Sequence, residues 1–172
     1  MRIVAGELRG RKIVAPVGDK TRPTTDMARE AIFNALTSMD VIIGSRILDL
    51  FAGSGALGIE ALSRGAKHCI FIERDKDALV SLQENIKKLN LEDRATIVRG
   101  DAKAGLAKYA NIDFVLADPP YDFADWQQVL DQISAGLVVA ESNREITGVA
   151  GWESMRAKRY GRTHVTYLRR VP

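Results

Sequence analysis

Cysteine is nearly absent from this 172-residue chain: Cys69 stands alone, which excludes an internal disulfide framework and any cysteine-cluster metal site. Histidine is almost as scarce, and His68 and His164 lie far apart, without the spacing of a zinc-binding helix. No apolar run approaches the length a bilayer requires, and Ile112–Ala117 is already broken by Asp113. The opening Met1-Arg2-Ile3-Val4-Ala5-Gly6 has no apolar h-region and no cleavage site. The expectation is a cytoplasmic protein with no metal and no membrane partner. With 46% hydrophobic and 27% charged residues, the chain has enough apolar material for a core and is not a disordered tail. Its length fits one domain over residues 1–172.

The net charge of +3 conceals a division along the chain. Residues 1–22 carry Arg2, Arg9, Arg11, Lys12, Lys20 and Arg22 against Glu7 and Asp19. Residues 156–172 carry Arg156, Lys158, Arg159, Arg162, Arg169 and Arg170 with no acid, so the stretch between the two ends is net acidic. Basic ends on an acidic body point to a polyanionic partner, although Lys and Arg also serve to guard exposed strand edges.

Periodicity gives an α/β organisation. Arg2–Ala5 and Lys12–Ala15 read as a small β-hairpin extension over residues 1–16, and Pro16, Gly18 and Pro23 mark a loop. Apolar residues at 28, 31, 32, 35 and 36 have helical spacing behind a Thr or Asp cap. Strands are expected at Arg46–Phe51, His68–Glu73, Ala95–Arg99, Ile112–Ala117 and Leu137–Ala140. Helices are expected at Ala56–Arg64, Lys76–Leu89, Ala102–Tyr109 and Trp126–Ile133. Nearly all-apolar strands alternating with helices mean a mostly parallel sheet covered on both faces. Ser154–Tyr160 and Arg162–Arg169, flanking Gly161, read instead as an antiparallel C-terminal pair.

Two segments carry chemistry. Asp49-Leu50-Phe51-Ala52-Gly53-Ser54-Gly55-Ala56-Leu57-Gly58 lies where a strand turns into a helix. Glycines there let the backbone approach a ligand, and the helix start offers free N–H groups. Glu73 lies 20 residues beyond Gly53 and is placed to accept both hydroxyls of an adenosine ribose. This much fits a nicotinamide dinucleotide or S-adenosylmethionine equally. Asp49 favours the second, because its charge would oppose a pyrophosphate and attract an ammonium or sulfonium. The other segment is Asp118-Pro119-Pro120-Tyr121, at the carboxyl end of a parallel strand, where doubly wound sheets bind ligands. The prolines lack N–H donors, so their carbonyls are expected to face outward. Asp118 and the Pro119 carbonyl can accept the two hydrogens of one exocyclic amine, and Tyr121 offers a face on which a base stacks.

With these residues in view, the chain resembles the amino-methyltransferases of the seven-strand class I fold. Arg22-Pro23-Thr24-Thr25-Asp26-Met27-Ala28-Arg29-Glu30-Ala31-Ile32-Phe33-Asn34, Asp49–Gly58, Glu60-Ala61-Leu62-Ser63-Arg64-Gly65-Ala66 and Arg2-Ile3-Val4-Ala5-Gly6 narrow this to the RsmD family of small-subunit rRNA guanine-N2 methyltransferases. The resemblance covers residues 1–121, and the link from Tyr121 to Leu137 is short for the family. It implies a Rossmann-like, mostly parallel seven-stranded sheet, S-adenosyl-L-methionine as cofactor, and 16S rRNA or the assembling small ribosomal subunit as partner of a monomer. It also implies that Asp49, Gly53 and Gly55 cradle the methionine part, and that Phe51 and Arg74 belong to the cofactor site. Glu73 would hold the ribose, and Asp101 the adenine amino group with Ala102 adjacent. Asp118, Pro119, Pro120 and Tyr121 would hold the target base, Asp118 also bordering the cofactor. Arg22, Pro23 and Thr24 would close over the cofactor. Arg9, Arg11 and Lys12 are expected to contact RNA near the site, whereas the C-terminal basic group is given less weight as facing away from it.

Other residues take plainer roles. Cys69, Trp126 and Trp152 are expected in the core, Glu60 on a helix surface and Asp113 at a strand end. The acceptor amine remains open among guanine N2, adenine N6, cytosine N4 and a protein glutamine. A nicotinamide oxidoreductase would leave Asp118–Tyr121 unexplained, and a non-catalytic RNA-binding module would leave the glycine loop unexplained.

Overall fold

The computed structural model describes residues 1–17 and 26–172. Its helices are α1 (Asp26–Ser38), α2 (Ala56–Ser63), α3 (Lys76–Lys88) and α4 (Trp126–Leu130). Its strands are β1 (Arg46–Leu50), β2 (His68–Glu73), β3 (Ala95–Arg99), β4 (Phe114–Ala117), β5 (Leu137–Ser142), β6 (Trp152–Tyr160) and β7 (Thr163–Arg170). They form one seven-stranded sheet in the order β3-β2-β1-β4-β5-β7-β6. The pairs among β1 to β5 are parallel, while β7 is antiparallel to both β5 and β6. A six-stranded dinucleotide fold has the order 3-2-1-4-5-6. Here an antiparallel strand is inserted between β5 and the sheet edge, as expected for the class I methyltransferase fold.

Burial explains the strand composition. Every residue of β4, and all of β1 after Arg46, is buried because helices cover both faces. On one face α1, α2, α3 and the N-terminal segment close a core around Ile47, Phe71, Phe114 and Tyr167. On the other, α4 and the segment containing Leu106 close a core around Leu50, Val115, Trp126 and Leu168. Cys69, Trp126 and Trp152 are core residues. Asp113 ends a strand as expected, accepting from the Arg46 backbone N–H at 2.8 Å.

Four expectations need correction. The hairpin over 1–16 is shorter than expected: one antiparallel bridge joins Arg2 and Lys12, with backbone hydrogen bonds from Ile3 to Arg11, Gly10 to Ile3 and Ile13 to Met1. Beyond it, Val4 and Ala5 turn their N–H groups to the Glu60 carboxylate, at 3.0 and 3.1 Å, instead of to a partner strand. Glu60 is therefore buried rather than on the helix surface, because the N-terminal segment folds over α2 and covers it. The helix expected at Ala102–Tyr109 is only a 3₁₀ turn, Leu106–Lys108, since Gly105 takes a φ of +73° just before it. The helix expected at Trp126–Ile133 likewise stops at Leu130.

Candidate functional site

Three carboxylates meet at the carboxyl ends of adjacent strands: Asp49 in β1, Glu73 closing β2, and Asp118 just after β4. Asp49 is buried, and its Oδ2 accepts from the Gly58 N–H in the first turns of α2 at 2.9 Å. Burial raises its pKa well above the usual carboxylate range, and the nearby charges of Asp118 and Glu73 push the same way against the Gly58 hydrogen bond. Gly58 must be glycine here, because a Cβ would stand 2.3 Å from the Phe71 ring and 2.7 Å from Cys69 Sγ. That absence lets α2 sit close on the sheet and bring its N-terminus to Asp49.

The glycine loop is tied to β2. Ala52 N–H donates to the Ile72 carbonyl at 3.0 Å, and Gly53 N–H donates to Glu73 Oε2 at 2.7 Å. Glu73 Oε1 accepts from the N–H groups of Arg74 and Asp75 at 2.8 and 2.9 Å. A carboxylate has about four acceptor sites, so in this arrangement Glu73 keeps room for one ribose hydroxyl rather than two. Arg74 is exposed, and Gly55 carries a φ of +88° at the start of α2. Asp101 follows β3 and accepts from the Lys103 N–H at 2.8 Å, while the side chain of Ala102 is buried in the core beneath.

Asp118-Pro119-Pro120-Tyr121 leaves β4 beside this loop, with Asp118 N–H directed to the Leu50 carbonyl at 3.5 Å. Tyr121 is 61% exposed, which suits a stacking platform. The expectation that both proline carbonyls face outward fails for Pro120, whose carbonyl accepts from Phe123 N–H at 3.0 Å and closes a turn. That turn seats Phe123, a residue sequence reasoning missed. Its ring packs edge-on to Phe51 at 5.1 Å and to Trp126 at 5.0 Å. Phe51 is held at a φ of +58°, a left-handed conformation costing roughly 1–3 kcal/mol for a side chain of this kind and commonest at functional sites. The aromatic spacing after Tyr121 is the only sequence signal for this wall, which joins the glycine loop to the Asp118 segment.

The structure does not bring every named residue together. Arg22, Pro23 and Thr24 lie outside the described residues. Arg9, Arg11 and Lys12 sit at the opposite edge of the sheet, because α2 and α3 run back from the site toward them. Arg11 Nη2 donates to the carbonyl of Lys88, the last residue of α3, at 3.1 Å. Arg9 belongs to the turn whose Glu7 N–H bonds Ser63, the last residue of α2, and Lys12 bridges to Arg2. Conversely, Lys158, Arg159 and Arg162 of the C-terminal group do not face away: β6 runs in the direction of β4 and β5, so its end at Tyr160 lies at the site edge, while Arg169 and Arg170 lie at the opposite end.

A family model described as Conserved hypothetical protein 95 matches residues 1–169. The protein named Ribosomal RNA small subunit methyltransferase D from Haemophilus influenzae is 33% identical over 174 residues, covering 94% of this chain and 89% of the relative. The protein of the same name from Escherichia coli K12 is 43% identical over 122 residues, an alignment covering 70% of this chain and 60% of that relative. Among solved structures, the Escherichia coli protein yhhF is 35% identical, with a TM-score of 0.84 over 99% of this chain and 97% of that one. With the sheet order, the glycine loop and a match along almost its whole length, the chain belongs to the Conserved hypothetical protein 95 family, as a class I methyltransferase of the RsmD type.

Proposed function

We propose that this protein transfers a methyl group from S-adenosylmethionine to the exocyclic N2 amine of a guanine in 16S rRNA, in the cytoplasm, during small-subunit maturation. The observation that carries the reading is the placement of Asp118-Pro119-Pro120-Tyr121 directly beside the glycine loop, at the carboxyl ends of β4 and β1. The convergence of Asp49, Glu73 and Asp118 fits a cationic cofactor and disfavours a pyrophosphate. When bound, S-adenosylmethionine supplies an electrophilic methyl group on a positively charged sulfur. Asp49 and the Gly53–Gly55 backbone would hold the methionine part, Glu73 the ribose and Asp101 the adenine amine. Asp118 and the Pro119 carbonyl accept the hydrogens of the target amine and turn its lone pair outward. Tyr121 stacks on the base, replacing the stacking lost when the base leaves a helix. No residue needs to act as a nucleophile, since positioning two reactants alone can supply roughly 7 kcal/mol or more.

The test is methyl transfer from labelled S-adenosylmethionine to 16S rRNA, free and in assembling subunits, followed by identification of the methylated nucleoside. N2-methylguanosine is expected. Methyl groups on adenine N6 or cytosine N4 would move the acceptor, and binding of NADH without S-adenosylmethionine would end the reading.

A pH dependence follows from Asp49. Its raised pKa means the ligand-free fold favours the protonated acid, while a cationic ligand favours the carboxylate. Binding should therefore release protons, and affinity should fall as pH is lowered, because protonated Asp49 offers a cationic ligand no charge. In Asp49→Asn that part of the slope should vanish and affinity near neutral pH should be lower. Calorimetry in buffers of different ionisation heat reads both effects, and a buffer-independent heat with flat affinity would count against an ionised Asp49 in the complex.

A further inference from the structure

The register carries a second basic surface to the edge of the sheet that holds the site. Ala117, the residue before Asp118, lies level with Ala140 in β5. Ala140 is level with Thr166 in β7, and Thr166 with Ala157 in β6. All that follows Ala157 and precedes Thr166 therefore overhangs this line, in the direction in which Asp118 leaves β4. The overhang contains Lys158, Arg159, Tyr160, Arg162 and His164 and no carboxylate. At about 3.3 Å per residue, Gly161 stands about 13 Å beyond the line, and three strand spacings put β6 about 14 Å to the side of β4. An RNA strand with one base seated at Asp118 passes within reach of this tip.

The base of the hairpin and its tip use their cations differently. Arg169 forms an ion pair with Glu153, and Arg170 donates to the Ile133 carbonyl while lying 4.6 Å over the Trp152 ring. Arg156 lies 5.6 Å over the Tyr167 ring. Lys158, Arg159 and Arg162 are exposed, and among the described residues no carboxylate forms an ion pair with them. Arg159 Nε donates to the Gly161 carbonyl at 2.7 Å, which holds its guanidinium at the tip. Because side chains alternate along a strand, Lys158 and Arg159 face opposite sides, so the tip is basic on both. Edge protection alone asks for charge anywhere along β6 and gives no reason for the unpaired cations to gather at the end nearest Asp118.

We propose that the β6–β7 tip, through Lys158, Arg159 and Arg162, grips phosphates of the RNA strand that carries the target base. The proposal rests on the RNA-methylation reading above and adds to it the surface that positions the substrate. The test compares 16S rRNA transcript binding across a salt series for the wild type and for the triple variant Lys158→Ala, Arg159→Ala, Arg162→Ala. Loss of three phosphate contacts should weaken binding roughly tenfold or more near 0.1 M salt and flatten the log–log slope by about two. Affinity for S-adenosylhomocysteine should be unchanged, which confirms that the variant is folded. Arg159→Lys with Arg162→Lys keeps the charges and should keep the slope. Arg9→Ala, Arg11→Ala, Lys12→Ala, on the far edge, should change it less. Superimposable lines for wild type and tip variant overturn the proposal and leave the methyl-transfer reading standing, including when the tip variant self-associates from its bared edge. A wild type that binds S-adenosylhomocysteine but no RNA removes the RNA reading, and the proposal with it.

Discussion

Asp118→Ala should lower methyl transfer by roughly 10²–10³-fold in single-turnover assays, while affinity for S-adenosylhomocysteine changes little. The N2 amine of guanine is a poor nucleophile because its lone pair is drawn into the ring. Two acceptors on its hydrogens favour a pyramidal nitrogen, and the negative charge of Asp118 opposes the positive charge that grows there as the new N–C bond forms. Asp118→Asn keeps an acceptor oxygen but loses that charge, so its activity should fall between wild type and alanine. Asp118 is also one of the charges that raise the Asp49 pKa. Its removal should therefore shift the pH dependence of cofactor binding toward lower pH, a signature separate from the loss of transfer. Tyr121→Ala should act mainly on RNA affinity, and Tyr121→Phe should be mild, since a stacking face needs no hydroxyl. Equal losses of transfer and cofactor affinity in Asp118→Ala would place Asp118 in the cofactor site and not against the acceptor amine.

The parts of this site that were legible in the sequence are those written locally. The chain from Asp49 to Gly58 contains its own strand end, turn and helix start, so periodicity and glycine placement reveal it without knowledge of the rest. β2 matches its expected range at both ends, because His68 and Glu73 are the polar boundaries of an apolar run. Asp118-Pro119-Pro120-Tyr121 could be placed at a strand end for the same reason. What escaped depends on contacts between distant segments. Glu60 looks like any helix-surface acid until Val4 and Ala5, more than fifty residues earlier, are seen to use it as their acceptor. The side of the sheet reached by a basic group depends on strand order and direction, which periodicity does not contain. That is why the N-terminal arginines were expected at the site and the C-terminal ones away from it. Phe123 became part of the aromatic wall only through the turn that consumes the Pro120 carbonyl.

Glu60→Ala should destabilise the fold by about 3–5 kcal/mol, although Glu60 touches neither the site nor any proposed ligand. Its side chain is fully buried, and its two oxygens serve three hydrogen-bond donors and face a fourth cationic nitrogen. They accept from the backbone N–H groups of Val4 and Ala5 and from Arg64 Nε at 3.0 Å, with Arg29 Nε at 3.6 Å. Arg29 is itself fully buried and reaches Asp26 at 2.9 Å and the Arg2 carbonyl. Removing the carboxylate takes from Arg29 its buried counter-charge, leaving only the exposed Asp26, and strips Arg64 and two backbone donors of their acceptor, and each unsatisfied donor alone costs about 1–3 kcal/mol. For a chain of this size each kcal/mol shifts the melting temperature by about 2–4 °C, so a drop of about 10 °C is expected. The N-terminal segment should loosen first, because Glu60 is what its Val4 and Ala5 amides bond. Hydrogen exchange at those two amides should rise more than at β1 or β4. Glu60→Gln, which keeps acceptor geometry without the charge, separates the hydrogen bonds from the ion pairing. Replacing Glu60 and Arg29 together by Leu and Met should be less damaging than Glu60→Ala alone, since the fully buried guanidinium then leaves with its carboxylate and only the more peripheral Arg64 and the exposed Asp26 lose a partner. A loss below about 1 kcal/mol in Glu60→Ala, with unchanged exchange at Val4 and Ala5, would mean that the carboxylate is solvated and does not hold the N-terminal segment to α2.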